Sequence, residues 1–136
     1  MVSSREEKLD LHELTSDGLQ EIGLVLRDTE ILLRSIYEPF KVIFAKLGFS
    51  SGFACHFHVA PVTKALLTEI SSHRHFADEP DGNDAMLFLS RIYCERELSL
   101  HEQRQMMDTV SLLRKAANTT IHRTSGKLRL PASGDF

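Results

Sequence analysis

The stretch Leu19–Tyr37, LQEIGLVLRDTEILLRSIY, decides how the rest of the chain must fold. Leu19, Ile22, Leu26, Leu33, Ile36 and, beyond the stretch, Phe40 follow a seven-residue pattern with Thr29 as its polar member. Leu24, Val25, Ile31 and Leu32 widen the apolar arc past that seam, while Gln20, Glu21, Arg27, Asp28, Arg34 and Ser35 keep to a narrow stripe. Such spacing fits a helix of about 3.6 residues per turn and cannot be laid out as a strand. An apolar arc wider than the usual ~100° predicts a helix covered on several sides. Two arrangements meet that need. The helix is the centre of a bundle, or its surplus apolar surface takes a partner chain.

Working outward, Thr15 or Ser16 can cap this helix, with Asp17 well placed in its electropositive first turn. Glu38-Pro39 ends or kinks it, because proline lacks a donor and disfavours helix in the residue before it. Val42, Ile43, Phe44 and Leu47 again fall at helical spacing, so Phe40 to Leu47 is expected as helix, with Gly48 just past its end. The run FACHFHVA (53–60) alternates and predicts a strand: Phe53, Cys55, Phe57 and Val59 on one side, Ala54, His56, His58 and Ala60 on the other. Pro61 suits the first turn of a helix carrying Val62, Ala65, Leu66 and Ile70. SSHRHFADEPDGND (71–84) reads as a loop, from which Asp81 or Asn83 caps a helix with Ala85, Phe88, Leu89 and Ile92. Ser99-Leu100-His101-Glu102 is a capping box, and Met106, Val110, Leu113 and Ala117 share one face of the helix it starts. TTIHR-TSG-KLRL (119–130) reads as a β-hairpin or as a tail. The expected fold is therefore mainly α: a compact bundle of four or five helices around the long central one, with one short strand and a C-terminal hairpin. Residues 1–14 form an acidic arm, 15–118 the helical domain and 119–136 the basic hairpin or tail.

At 136 residues the chain is one domain, long enough to bury a core without metal or disulfide. A hydrophobic share of 42% and a charged share of 26% are ordinary for a globular protein. A net charge of −3 argues against a wholly electrostatic nucleic-acid binder. No apolar run approaches the ~18 residues of a membrane span, so no membrane role is expected. No apolar leader is visible in MVSSREEKLDLHEL, and Cys55 and Cys94 do not make a disulfide framework, so an intracellular setting, cytoplasmic or nuclear, is expected. Charge is uneven: residues 1–30 hold eight acidic against three basic side chains, and residues 114–136 hold five basic against one acidic.

Three features could carry function. His56/His58 and His73/His75 are two His-x-His pairs; on extended backbone each pair shares a face and could meet one metal ion, zinc foremost, with Asp78, Glu79 and Asp81 nearby. A zinc site needs three or four convergent ligands, which spacing alone does not supply. Against it stands the simpler reading of solvent-facing histidines. Arg123, Lys127 and Arg129, backed by Arg114 and Lys115, could touch nucleic-acid phosphates, but no aromatics interleave them for stacking. The acidic loop fails the calcium-loop spacing, since Gly82 in sixth place puts Ala77 first. No phosphate loop, dinucleotide fingerprint, nucleophile elbow or His-Glu-x-x-His element occurs, so the reading leans away from an enzyme, with a metalloenzyme using His56/His58 and His73/His75 as the catalytic alternative. The expectation is a non-catalytic protein–protein interaction or regulatory module without a cofactor, binding another chain or itself as a homodimer. Its partner surface is expected at Leu24, Ile31, Tyr37, Phe40, Ile43 and Phe44, with the metal and nucleic-acid readings as alternatives.

Overall fold

The computed structural model describes residues 1–4, 8–47, 54–76 and 80–125, the side chains as far as residue 119. It is mainly α with a small three-stranded antiparallel sheet. The elements run β1 (Val2–Ser3), a 3-10 turn (Leu11–Glu13), α1 (Ser16–Tyr37), β2 (Lys41–Ala45), β3 (His56–Val62), α2 (Lys64–Ser71), α3 (Gly82–Leu89), a π turn (Ser90–Cys94) and α4 (Leu100–Ser125). They fall into two compact units, Met1–Arg96 and Glu97–Phe136.

In the first unit, α1 begins where expected, because the Thr15 hydroxyl accepts from the Gly18 N–H at 3.1 Å and satisfies one of the free donors of the first turn. It ends at Tyr37. Glu38 takes the left-handed conformation, φ 44° and ψ 50°, and Pro39 follows it. A residue before proline is kept out of the right-handed helical region, so the chain turns there rather than merely kinking.

Past that turn Phe40 to Leu47 is not a helix. Lys41–Ala45 is strand β2, paired antiparallel with β3 from Lys41↔Val62 to Ala45↔His58. Short apolar runs are ambiguous between helix and strand by periodicity, and Val42, Ile43 and Phe44 are the β-branched and aromatic types that a pleated surface favours. Gly48 lies outside the described residues. Nor does Pro61 open α2: it belongs to β3, and Thr63 caps α2 instead through its hydroxyl and the Leu66 N–H, 3.2 Å apart. The supposed N-terminal arm contributes Val2 and Ser3 to the sheet opposite Phe57 and His56, and Leu14 is buried.

Strand order is β1-β3-β2. Alternation puts Ile43, Ala60 and Val62, with His56 and His58, on one face and Val42, Phe44, Phe57, Val59 and Pro61 on the other. The first face meets α2 and α3: Val62, Ile70, Ala85 and Phe88 form the core, with Ile43, Leu66, Leu67, Phe76 and Ile92 packed against it. Asp81 starts α3 by accepting from the Asn83 and Asp84 N–H groups at 2.8 and 2.9 Å. On the second face, where Val42 is buried, α1 lies against all three strands and buries Leu33.

The long helix is thus a layer on a sheet, not the hub of a bundle. Of the widened arc, Leu24, Val25 and Ile31 are exposed and Leu32 is half-buried. A helix on a flat sheet presents one side to it, so a surplus of apolar positions is left outside.

The second unit contains α4, started by the expected capping box: the Glu102 carboxylate accepts from the Ser99 N–H at 2.9 Å and the Ser99 hydroxyl from the Glu102 N–H at 3.3 Å. It continues to Ser125, so the first arm of the expected hairpin, residues 119–123, is helical. The second arm lies outside the described residues.

Candidate functional site

The alternation of β3 brings His56 and His58 together, as the spacing predicts: their ring centroids are 5.1 Å apart, edge to face. The His56 Nδ1–H donates to the Ala54 carbonyl oxygen at 2.8 Å, which leaves Nε2 with the lone pair. His58 is held below the ordinary histidine range, first by burial, which penalises the charged imidazolium, and then by the neighbouring His56 and the N-terminal ammonium, which disfavour a second positive charge beside them. Two imidazoles on one sheet face are the result, and each can accept a proton or a metal ion.

His73 and His75 follow α2 and are also neighbours, with centroids 5.6 Å apart. Their chemistry is local. His73 lies against Phe76 and, edge to face, against Phe88, so it extends the aromatic side of the core. His75 Nε2 accepts from the Arg74 Nε–H at 3.0 Å. Among the described residues no three His, Cys, Asp or Glu side chains are placed to hold one metal ion. Asp78 and Glu79 lie outside those residues, and Asp81 is engaged as the α3 cap. Cys55 is buried and Cys94 is exposed, both as free thiols.

The six residues expected as a partner surface do not form one patch. Leu24, Ile31 and Phe40 are exposed, at 46%, 48% and 66%. Tyr37, Ile43 and Phe44 are half-buried. Ile43 packs on the α2/α3 core, and Phe44, its neighbour along the strand, points to the opposite face. Leu24 and Ile31, seven residues apart, lie on the side of α1 turned away from Ile22, Leu26 and Leu33. Sequence reasoning missed Leu19 and Leu47 as exposed apolar residues. Nothing in their periodicity marks them, since exposure there depends on where the sheet ends.

A groove of about 300 Å³ runs between β1 and the first half of α1, where Val2, Leu14, Ile22 and Val25 make an apolar floor and Glu21 stands at the edge. Neither histidine pair lines it. At the far end of β2, Lys46 pairs with Asp10 and ties the 3-10 segment to the sheet; the ammonium holds the Asp10 carboxyl below its usual range, and Asp10 in turn raises Lys46. Of the basic residues considered for nucleic acid, Arg123 is on α4, and Lys127 and Arg129 lie outside the described residues. Among the described residues, no helix is long and apolar enough to cross a membrane. Compared with known protein families, curated proteins and solved structures, the chain matches none of them.

Proposed function

We propose that this protein is a non-catalytic interaction module that works by binding another protein chain, a second copy of itself in the first instance. One observation carries the reading: Leu24 and Ile31 stand in solvent on the outer side of α1, and Phe40 stands in solvent at the head of β2. Leu24 and Ile31 lie seven residues apart on that outer side, the spacing at which an amphipathic helix offers a seam to a partner. Light scattering on the purified chain at rising concentration tests it. Self-association is expected, and it should weaken when Leu24 and Ile31 are both replaced by glutamate; a monomer throughout overturns the self-binding form.

The geometry of His56 and His58 favours a second reading, a metal-binding role in which this pair supplies two neutral nitrogen ligands and zinc is the expected ion. Elemental analysis decides it. Stoichiometric zinc that disappears in His56→Ala supports the reading, and a metal-free chain dismisses it.

A further inference from the structure

The pairing of β1 with β3 brings one more donor to the histidine pair. In the register Val2↔Phe57 and Ser3↔His56, the next pair outward is Met1 and His58. Ser4 N–H donates to the Cys55 carbonyl at 3.0 Å, so the hydrogen-bonded positions of this ladder are Ser4/Cys55 and Val2/Phe57. Ser3/His56 and Met1/His58 take the other positions, where opposed Cα atoms come to about 4.5 Å and facing side chains are closest. Alternation puts Met1 on the same sheet face as His56 and His58. The amino group of Met1 is near enough to His58 to act on its charge, in agreement with that register.

We propose that Met1, His56 and His58 form a binding site for one soft cation, copper(I), held by two imidazole nitrogens and the Met1 thioether sulfur. The proposal rests on the metal-binding reading above and names another ion on the strength of the third donor. The ring centroids of His56 and His58 are 5.1 Å apart. Two imidazoles that share an ion at about 2 Å stand about 5 Å apart when their bonds meet near the tetrahedral angle, and about 6 Å apart when they oppose each other. The observed spacing is that of the bent arrangement, which leaves room for a further donor. His56 is also oriented as metal-bound histidines are: its Nδ1–H is held by the Ala54 carbonyl at 2.8 Å, which fixes the ring and presents Nε2. Met1 is 81% exposed, so its thioether is not spent on the core.

Zinc asks for a different set. Its protein ligands are thiolate, imidazole and carboxylate, three or four together. Among the described residues no three His, Cys, Asp or Glu side chains are so placed. A thioether joined to imidazole is a soft donor set, and such sets select copper(I).

Anaerobic titration of the full chain with copper(I), against a colorimetric copper(I) chelator, tests the proposal, with zinc(II) titrated in parallel. Cys94→Ser serves as the background, because it removes the exposed thiol. One equivalent of copper(I) is expected in that background, with sulfur among its neighbours by X-ray absorption. Met1→Leu, released from a cleaved fusion, should lose the sulfur signal and weaken binding about tenfold, and His56→Ala should weaken it about a hundredfold. Met107→Leu, which removes an exposed thioether on α4, should change neither. Zinc held at one equivalent with copper(I) bound no more tightly overturns the copper assignment and leaves the metal-binding reading standing. A sulfur signal that survives Met1→Leu, or copper that is lost with the Cys94 thiol, overturns the site. A chain that takes up neither ion overturns both. If His56→Ala loses its helical circular dichroism, Met1→Leu decides alone, since that side chain stands in solvent.

Discussion

His58 shows how a single position acquires chemistry from its neighbours. The residue is an ordinary histidine on a short strand, yet burial and the adjacent His56 favour its neutral form. In the unfolded chain both influences vanish, so the unfolded state takes up the proton first as the medium is acidified. Stability is therefore unaffected by this group above about pH 6.5, falls as the pH drops below that value, and has lost its full share once the folded-state group is itself protonated. A histidine NMR titration is expected to give His58 a midpoint below the usual one, and His58→Gln should flatten the acid limb of a stability curve between about pH 7 and 5. A midpoint at or above the ordinary value would contradict the burial argument. The signal for this site is in the sequence: the alternation of FACHFHVA is enough to put His56 and His58 on one face. Which histidine would be held neutral is not legible there, because desolvation depends on what covers the sheet.

The scale of the element brings out Pro61. Its missing N–H argues for a helix start, and the structure places it inside β3, opposite Val42. The strand tolerates it because odd-numbered residues of β3 turn their backbone away from β2, and at Pro61 the chain has already passed the end of β1. Proline is admitted to a sheet where no ladder bond is lost. Two substitutions separate this account from a general tolerance of proline. Pro61→Ala should change stability by less than about 1 kcal/mol, its effect lying in the freedom of the unfolded chain. Ala60→Pro removes the N–H that faces Ile43 and should cost about 3 kcal/mol or more by denaturant unfolding. Equal effects of the two would refute the assigned pairing parity. Capping, by contrast, narrows to one or two candidates from residue types alone, although the α2 cap at Thr63 escapes that reading. Thr15, Asp81 and the Ser99/Glu102 box hold the starts of α1, α3 and α4 as their side chains require, since a cap is satisfied within three residues of itself.

At the scale of the whole molecule, the surplus apolar surface of α1 has the largest consequence. Had other helices wrapped it, the first unit would be closed. Among the described residues of that unit, a three-stranded sheet with α1 on one face and α2 and α3 on the other covers only one side of that helix. The sheet itself required residues distant in sequence, Val2, Val42 and Phe57 among them, to find one another.

By itself the sequence determined what local physics controls: a long amphipathic helix from the Thr15 cap to Glu38-Pro39, the strand character of HFHV, the caps, and the pairing of His56 with His58. Only the tertiary structure decided that Lys41–Ala45 is a strand, that Pro61 belongs to the sheet, that residues 119–123 continue a helix, and that Leu24 and Ile31 remain outside. The reason is one of range. A cap or a periodic face is settled by neighbours a few residues away, whereas an apolar run of five residues takes its form from the partner it meets, and that partner is not written beside it.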